Sequence, residues 1–318
     1  DGVSPIYREY LRHERLLAKY SLSEPEERII NTLGVTGIGA LVKIYDKITS
    51  AFEFQMKLKS GRKVIIRNFD NREKLASLVR SADPVEREAA YKALFATYRK
   101  NSGVVGEIYQ NIVVEWRDEG MSMRGYKNPI SVRNVGNDLD DATVDALLAV
   151  CRRNSSVFHE YFREKAKMLG ARQLRRYDLY APMSRKRSGK KFSYGKAVST
   201  VLETFSSFDP EIRRLAERVF QERHVDSEIR KAKRGGAFCH TISPKMTPYV
   251  LLNFDRRTRD VSTLAHEFGH AIHSMLAHDL PPTVAHAPLP LAETASVFAE
   301  MLLNERLMET LPARERKI

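Results

Sequence analysis

The run HEFGH at residues 266–270 sets two histidines four residues apart, with a glutamate directly after the first. On a helix this spacing stacks His266 and His270 on one face, one turn apart, so a ring nitrogen of each can aim at a single ion about 2 Å away. Glu267 then projects about 100° round the helix, beside the ion and not on it, where it can take a proton from a water held there. The chain carries 9 His among 318 residues, so a chance match to H-E-x-x-H is expected in only about 2 of 100 such chains.

A third donor follows on the next helical segment. Glu293 lies near the start of LAETASVFAEMLLNERLMETL (291–311). A hydrolytic zinc site holds three protein ligands and keeps a fourth position open. Two His and one Glu leave one formal positive charge, enough to lower the pKa of water towards 7. The longer pattern H-E-x-x-H-x-x-G-x-x-H does not fit, because His273 and Leu276 stand third and sixth after His270. The expectation is one zinc ion per chain on His266, His270 and Glu293, with Glu267 as the base. Glu300 shares a helix face with Glu293 two turns on and is placed to orient a ligand or to accept a hydrogen bond from a histidine. His273 has either a supporting or a merely packed role. Asp260 either caps the motif helix or holds His266, capping being the preferred reading. His278 and His286 read as surface residues.

The elements that must position these groups are mostly helical. Residues 7–20, 23–33 and 38–48 read as helices, the second opening at Ser23. AFEFQMKL (51–58), the turn KSGR and KVIIRNF (63–69) read as a β-hairpin, followed by a helix over 71–80. Asp83-Pro84, with Glu86 completing a capping box, opens a helix that the pattern carries to about Gly120. Residues 120–137 read as a loop, 141–169 as one helix, and 194–207 and 210–223 as two more. GGAFCHTI (235–242) and TPYVLLNF (247–254) read as a second small hairpin or as adjacent strands just before the motif helix, 261–277. The division expected is 1–80, helical with the hairpin, and 81–318, the beginning of a catalytic domain.

Composition excludes several classes. Hydrophobic residues make up 42% and charged residues 29%, an ordinary globular balance. No apolar run reaches the roughly 20 residues of a membrane-spanning helix, and no signal peptide is visible. Cys151 and Cys239 form no disulfide framework or C-x-x-C site, so the cytoplasm is the simplest compartment. Net charge is +13. Its positive residues gather at 172–177, 184–191 and 229–234 without a nucleic-acid signature, and read as solvated basic faces. The chain starts at Asp1 and reads as a processed product or a fragment.

GGAFC, PYVLLNF, DVSTLAHEFGHAIHSMLA and ETASVFAE together resemble the oligoendopeptidase F family, a branch of the thimet-oligopeptidase-like zinc peptidases. LSEPEERIINTLGVTGIGALVKIYDKI and RYDLYAP are similar to it as well, so the resemblance spans essentially the whole chain. It implies a mainly α, clam-like fold with small β-hairpins near a deep cleft that admits short peptides. It also implies that Gly236 and Ala237 pair with the substrate backbone. The family continues into a C-terminal lobe carrying oxyanion donors. The expectation is therefore a zinc endopeptidase that a companion chain or that lobe completes, weak or inactive alone, since losing one such donor costs about 100- to 1000-fold. The competing readings are a carboxypeptidase-type helical zinc enzyme, an inert fragment and a basic nucleic-acid binder.

Overall fold

The computed structural model describes residues 4–61, 63–183 and 192–311; the expected basic face at 184–191 lies outside them. In chain order the first helices are α1 (Arg8–Leu17), α2 (Glu24–Thr36) and α3 (Ile38–Ser50). Ser23 opens α2 as expected: the Glu26 carboxylate accepts from its backbone N–H at 2.9 Å and its hydroxyl at 2.6 Å. The hairpin follows as β1 (Phe54–Ser60) and β2 (Lys63–Phe69), antiparallel and in register from Phe54↔Phe69 to Ser60↔Lys63. Alternation decides its buried face: Phe54, Met56 and Leu58 are buried, while Gln55, Lys57 and Lys59 are exposed. Gly61 makes the turn at φ 60°. The short α4 (Arg72–Ala76) starts at Asn71, whose Oδ1 accepts from Glu73 N at 2.7 Å.

Two expected long helices are each broken at an asparagine. The helix expected from Asp83 to Gly120 is α5 (Pro84–Lys100) and α6 (Ser102–Arg117), with one turn of π-helix at Asp118–Met123. Asn101 (φ −101°, ψ 8°) interrupts it and sends its amide to Thr97 O at 2.8 Å. Glu86 does not close a capping box on α5; it pairs with Arg67 at 3.1 Å, and Asp83 caps alone through Val85 N at 2.9 Å. Likewise 141–169 is α8 (Asp141–Arg153) and α9 (Ser155–Leu169), split at Asn154, whose amide bonds Val150 O at 2.8 Å. In both places the side-chain amide offers the backbone an alternative to the helix ladder. The expected loop 120–137 contains α7 (Pro129–Gly136), started by Asn128 Oδ1 on Ser131 N at 3.0 Å with Pro129 in the first position. The remaining helices are α10 (Tyr194–Phe208), α11 (Pro210–Gln221), α12 (Thr258–Leu276) and α13 (Leu289–Thr310). Before α12, the strands β3 (Val225–Asp226), β4 (Phe238–His240) and β5 (Tyr249–Leu251) form a sheet in the order β3-β5-β4, with β3 parallel and β4 antiparallel to β5. The two-residue β3 has no signal in the sequence.

The chain forms two compact units, Asp1–Phe52 with Phe95–Arg163, and Glu53–Leu94 with Glu164–Ile318. In the first, Arg124 clamps α2 to the π turn, reaching Glu27 at 2.5 Å and Glu119 at 2.8 Å. The second contains the main core: Val201 and Phe205 of α10, Ala216 and Val219 of α11, Val250 of β5, Leu264 and Phe268 of α12 and Leu303 of α13 are all buried. Phe220 stacks on Phe268 with centroids 4.5 Å apart. α12 is thus wrapped on several sides, which fixes its roll angle and so the direction of its polar residues. Among the described residues no helix is long and apolar enough to cross a membrane.

In the basic stretch 229–234 the expected solvated face holds at Arg230, Lys231 and Arg234, which are exposed, and fails at Lys233. Arg230 pairs with Asp226 at 2.6 Å and Lys231 with Glu53 at 2.9 Å. Lys233 is buried, its ammonium donating to Leu252 O at 2.6 Å, Glu228 O at 2.7 Å and Asp226 Oδ1 at 3.0 Å. Its charge pins the segment before β4 to the end of β5.

A second buried charge fastens α5. Arg87 donates to Asp178 Oδ1 at 2.6 Å and to the carbonyls of Ser81 and Ala82 at 2.9 and 3.1 Å, and both partners are buried. Asp178→Ala would strand the guanidinium, so a loss of about 3–5 kcal/mol is expected by urea denaturation. The double variant Arg87→Met/Asp178→Leu should recover most of it.

Candidate active site and metal centre

α12 begins at Thr258, earlier than expected, because Asp260 reaches back over its first turn. Its Oδ2 accepts from Arg257 N at 2.8 Å and Asp255 N at 2.9 Å. Asp260 therefore takes the capping role of the two expected, and burial pushes its carboxyl up. Two turns further on come His266, Glu267 and His270.

α13 supplies the facing carboxylates. His266 Nε2 lies 3.4 Å and His270 Nε2 3.6 Å from Glu293 Oε2. The two imidazoles stand nearly perpendicular, at 86°, with centroids 4.9 Å apart. His266 is held from behind, its Nδ1 2.5 Å from Glu300 Oε1, and the Ala292 carbonyl lies near the His270 ring. A carboxylate partner fixes ring orientation and tautomer. Glu293 is itself steadied by Ser296, whose hydroxyl donates to Oε2 at 2.9 Å. His266, His270 and Glu293 offer three ligand atoms within 4.8 Å of one another, and among the described residues no other such trio occurs.

Glu267 is set apart from these groups by its surroundings. It is 6% exposed and lies beside the Cys239 backbone N–H of β4. Burial pushes its carboxyl up to about 7; the neighbouring Glu293 and Glu300 push the same way, against His266 and the Cys239 N–H. Burial pulls His270 the other way, downward. The half-buried Cys239 thiol is pushed up to about 12 by burial, as suits a packed, unreactive residue.

The remaining expected residues are less central. His273 lies one turn beyond His270 and acts on it through its charge. His278 pairs with Asp279 at 3.1 Å on the surface, and His286 is exposed. Gly236 and Ala237 precede the paired part of β4; Gly236 has φ 83° and its carbonyl accepts from Asn253 Nδ2 at 2.8 Å. Sequence reasoning missed Ser296, the Ala292 carbonyl, the Cys239 N–H and Gly269. Ser296 has the one local signal, its position three residues after Glu293 on the same helix.

Gly269 matters through what it lacks. A Cβ there would lie 2.7 Å from Ala295 O and 2.7 Å from Ser296 Cα, both backbone atoms of α13. The two helices meet backbone to backbone at this residue.

An H-E-x-x-H helix packed on a second, carboxylate-bearing helix in a mainly helical chain is the arrangement of a helical metallopeptidase. Residues 77–317 match Peptidase family M3 and residues 5–54 match Oligopeptidase F, and the chain belongs to peptidase family M3, in its oligoendopeptidase F branch. It is 28% identical over 304 residues to the plasmid oligoendopeptidase F of Lactococcus lactis subsp. cremoris, covering 93% of this chain and 49% of that protein. It is 26% identical over 240 residues to oligopeptidase PepF of Bacillus subtilis, covering 73% and 34%. PZ peptidase A, solved with an inhibitor, shares the fold at TM-score 0.76 and 17% identity, with 94% of this chain and 52% of that one covered. A solved chain from Bacillus anthracis does so at TM-score 0.79 and 16% identity, covering 98% and 56%. The mainly helical fold with small strands is thus shared with solved structures, and the chain spans about half the length, or less, of these curated relatives.

Gly269→Ala should force α12 and α13 apart. A loss of about 1–3 kcal/mol is expected by chemical denaturation, far more than alanine in place of glycine costs in an open helix position.

Proposed function

We propose that this chain provides the zinc-binding part of an endopeptidase for short peptides. The observation that carries the reading is the spacing of three donor atoms. A tetrahedral ion with bonds of about 2.0–2.1 Å holds its ligands roughly 3.3–3.5 Å apart, and His266 and His270 Nε2 stand 3.4 and 3.6 Å from Glu293 Oε2. Two imidazoles and one carboxylate suit zinc by chemistry as well as by distance. Zinc bound there would polarise a peptide carbonyl and make water more acidic.

This chain's own residues do the rest. Glu267, buried and near neutral in its proton affinity, takes the proton of the attacking water and delivers it to the leaving amine. Glu300 keeps the His266 imidazole aimed, and Ser296 keeps Glu293 aimed. β4 ends the order β3-β5-β4, so one of its edges has no strand partner among the described residues. An extended peptide added to that edge, continuing towards Gly236 and Ala237, would lie over Glu267, which is buried beside Cys239 of β4. The relatives are about twice as long, and this reading assigns the oxyanion donors to that further length or to a companion chain. It also assigns the protein to the cytoplasm, in keeping with its two free cysteines.

The test is zinc per purified chain. About one tightly held zinc is expected, with affinity lowered at least tenfold in Glu293→Ala. No zinc, or zinc indifferent to Glu293, would sink the reading. Glu267→Ala should keep the metal and lose any peptide cleavage the parent chain shows.

A further inference from the structure

Beside the first turns of α12 lies a cavity of about 150 Å³, walled by Arg80, Arg257, Arg259, Asp260, Thr263 and the Gly236–Ala237 segment. Its charges are unevenly engaged. Of the carboxylates that line it, Glu73 is held by Arg72 at 2.7 Å and Asp255 by Arg257 at 3.0 Å. Asp260 is taken up by two backbone N–H groups. Two of the three guanidiniums are less well served. Arg80 lies 5.3 Å from the centre of the Tyr180 ring, and among the described residues neither it nor Arg259 is hydrogen-bonded to a carboxylate. Burial and the positive charges of Arg259 and Arg257 act against the Arg80 cation, and the weaker influence of Tyr180 and Asp260 does not offset them. A half-buried guanidinium facing two others is costly unless an anion completes it, and its fork matches a carboxylate.

The position relative to the candidate active site is set by helix geometry. Residues 260, 263 and 267 follow at seven- and four-residue spacing and share one face of α12. The cavity therefore begins roughly 6–10 Å along the helix from Glu267. On the other wall, Ala237 and Gly236 stand two and three residues before Cys239, whose N–H lies beside Glu267. An extended peptide rises about 3.3 Å per residue. One lying along this edge with its reacting bond at Glu267 reaches the cavity two or three residues away.

We propose that this arginine-walled cavity is a specificity subsite that binds a carboxylate of the peptide, two or three residues from the bond attacked. The inference rests on the peptidase reading for its orientation; the carboxylate recognition itself rests on the cavity. A side-chain carboxylate and a C-terminal carboxylate present the same chemistry, and the probes separate them.

The probes are blocked hexapeptides with a single Glu moved along an otherwise uncharged sequence, their Gln counterparts, and one uncharged hexapeptide with a free C-terminus. Dissociation constants are measured calorimetrically with the full chain carrying Glu267→Gln, so that nothing is cleaved, with and without added zinc. A Glu peptide is expected to bind about tenfold more tightly than its Gln partner at one position, with the advantage shrinking as salt rises. A matching gain for the free C-terminus alone would assign the terminal carboxylate instead. Arg80→Gln should erase the preference and leave zinc content unchanged. Arg259→Gln, on the exposed rim, should reduce it and serves if Arg80→Gln fails to fold. Equal binding of Glu and Gln peptides at every position, with no gain for the free C-terminus, overturns the proposal. So does a preference that survives both substitutions. Because the comparison is also made without zinc, absence of a metal site and absence of this subsite give different results.

Discussion

The backbone contact between α12 and α13 at Gly269 is the constraint on which the candidate site depends. A missing side chain at one residue lets Ala295 and Ser296 of α13 sit directly against α12. Glu293 and Glu300 straddle that contact, about 10 Å apart along their helix. One therefore reaches the outward nitrogens of His266 and His270, and the other reaches His266 from behind. A single close approach thus sets both the donor and the group that orients its neighbour. The apolar surroundings keep it from rolling, since Leu264, Phe268, Ala271, Ala299 and Leu303 are all buried in the same core.

Three carboxyl groups lie around two imidazoles, and burial separates their roles. The side chains of Glu293 and Glu300 are 45% and 42% exposed, whereas Glu267 is 6% exposed as a residue. Taken out of water, with like charges nearby, the Glu267 carboxyl is pushed up to about 7. The chain achieves this by placing Glu267 on the sheet-facing side of α12, under β4, and the other two on the open helix. The nearby Cys239 N–H of β4 limits the effect.

Much of the site was legible because its code is local. The i and i+4 histidines, the intervening glutamate and the carboxylates two turns apart on the next helix are all periodic signals. The general course of the helices and the first hairpin were legible for the same reason. The asparagine breaks at Asn101 and Asn154 were not, because the apolar pattern continues through them and the competing hydrogen bond depends on one side-chain rotamer. α7 carried a start signal in Asn128-Pro129 that the surrounding Gly, Ser and Asn outweighed. β3 and the caging of Lys233 are long-range pairings, and no spacing within their own segments announces them.

The arginine cavity shows where such reading stops. Arg80, Gly236 and Arg257 come from three separate segments, and each is unremarkable in its own sequence context. What joins them is α12, whose capped first turn lines the cavity and whose third carries Glu267. A rigid helix held by its core keeps a constant distance between the two, which loops alone would not do. A charge preference measured at the cavity and a proton transfer at Glu267 would then be registered along one element. The spacing between them in a bound peptide follows from helix rise on one wall and strand rise on the other.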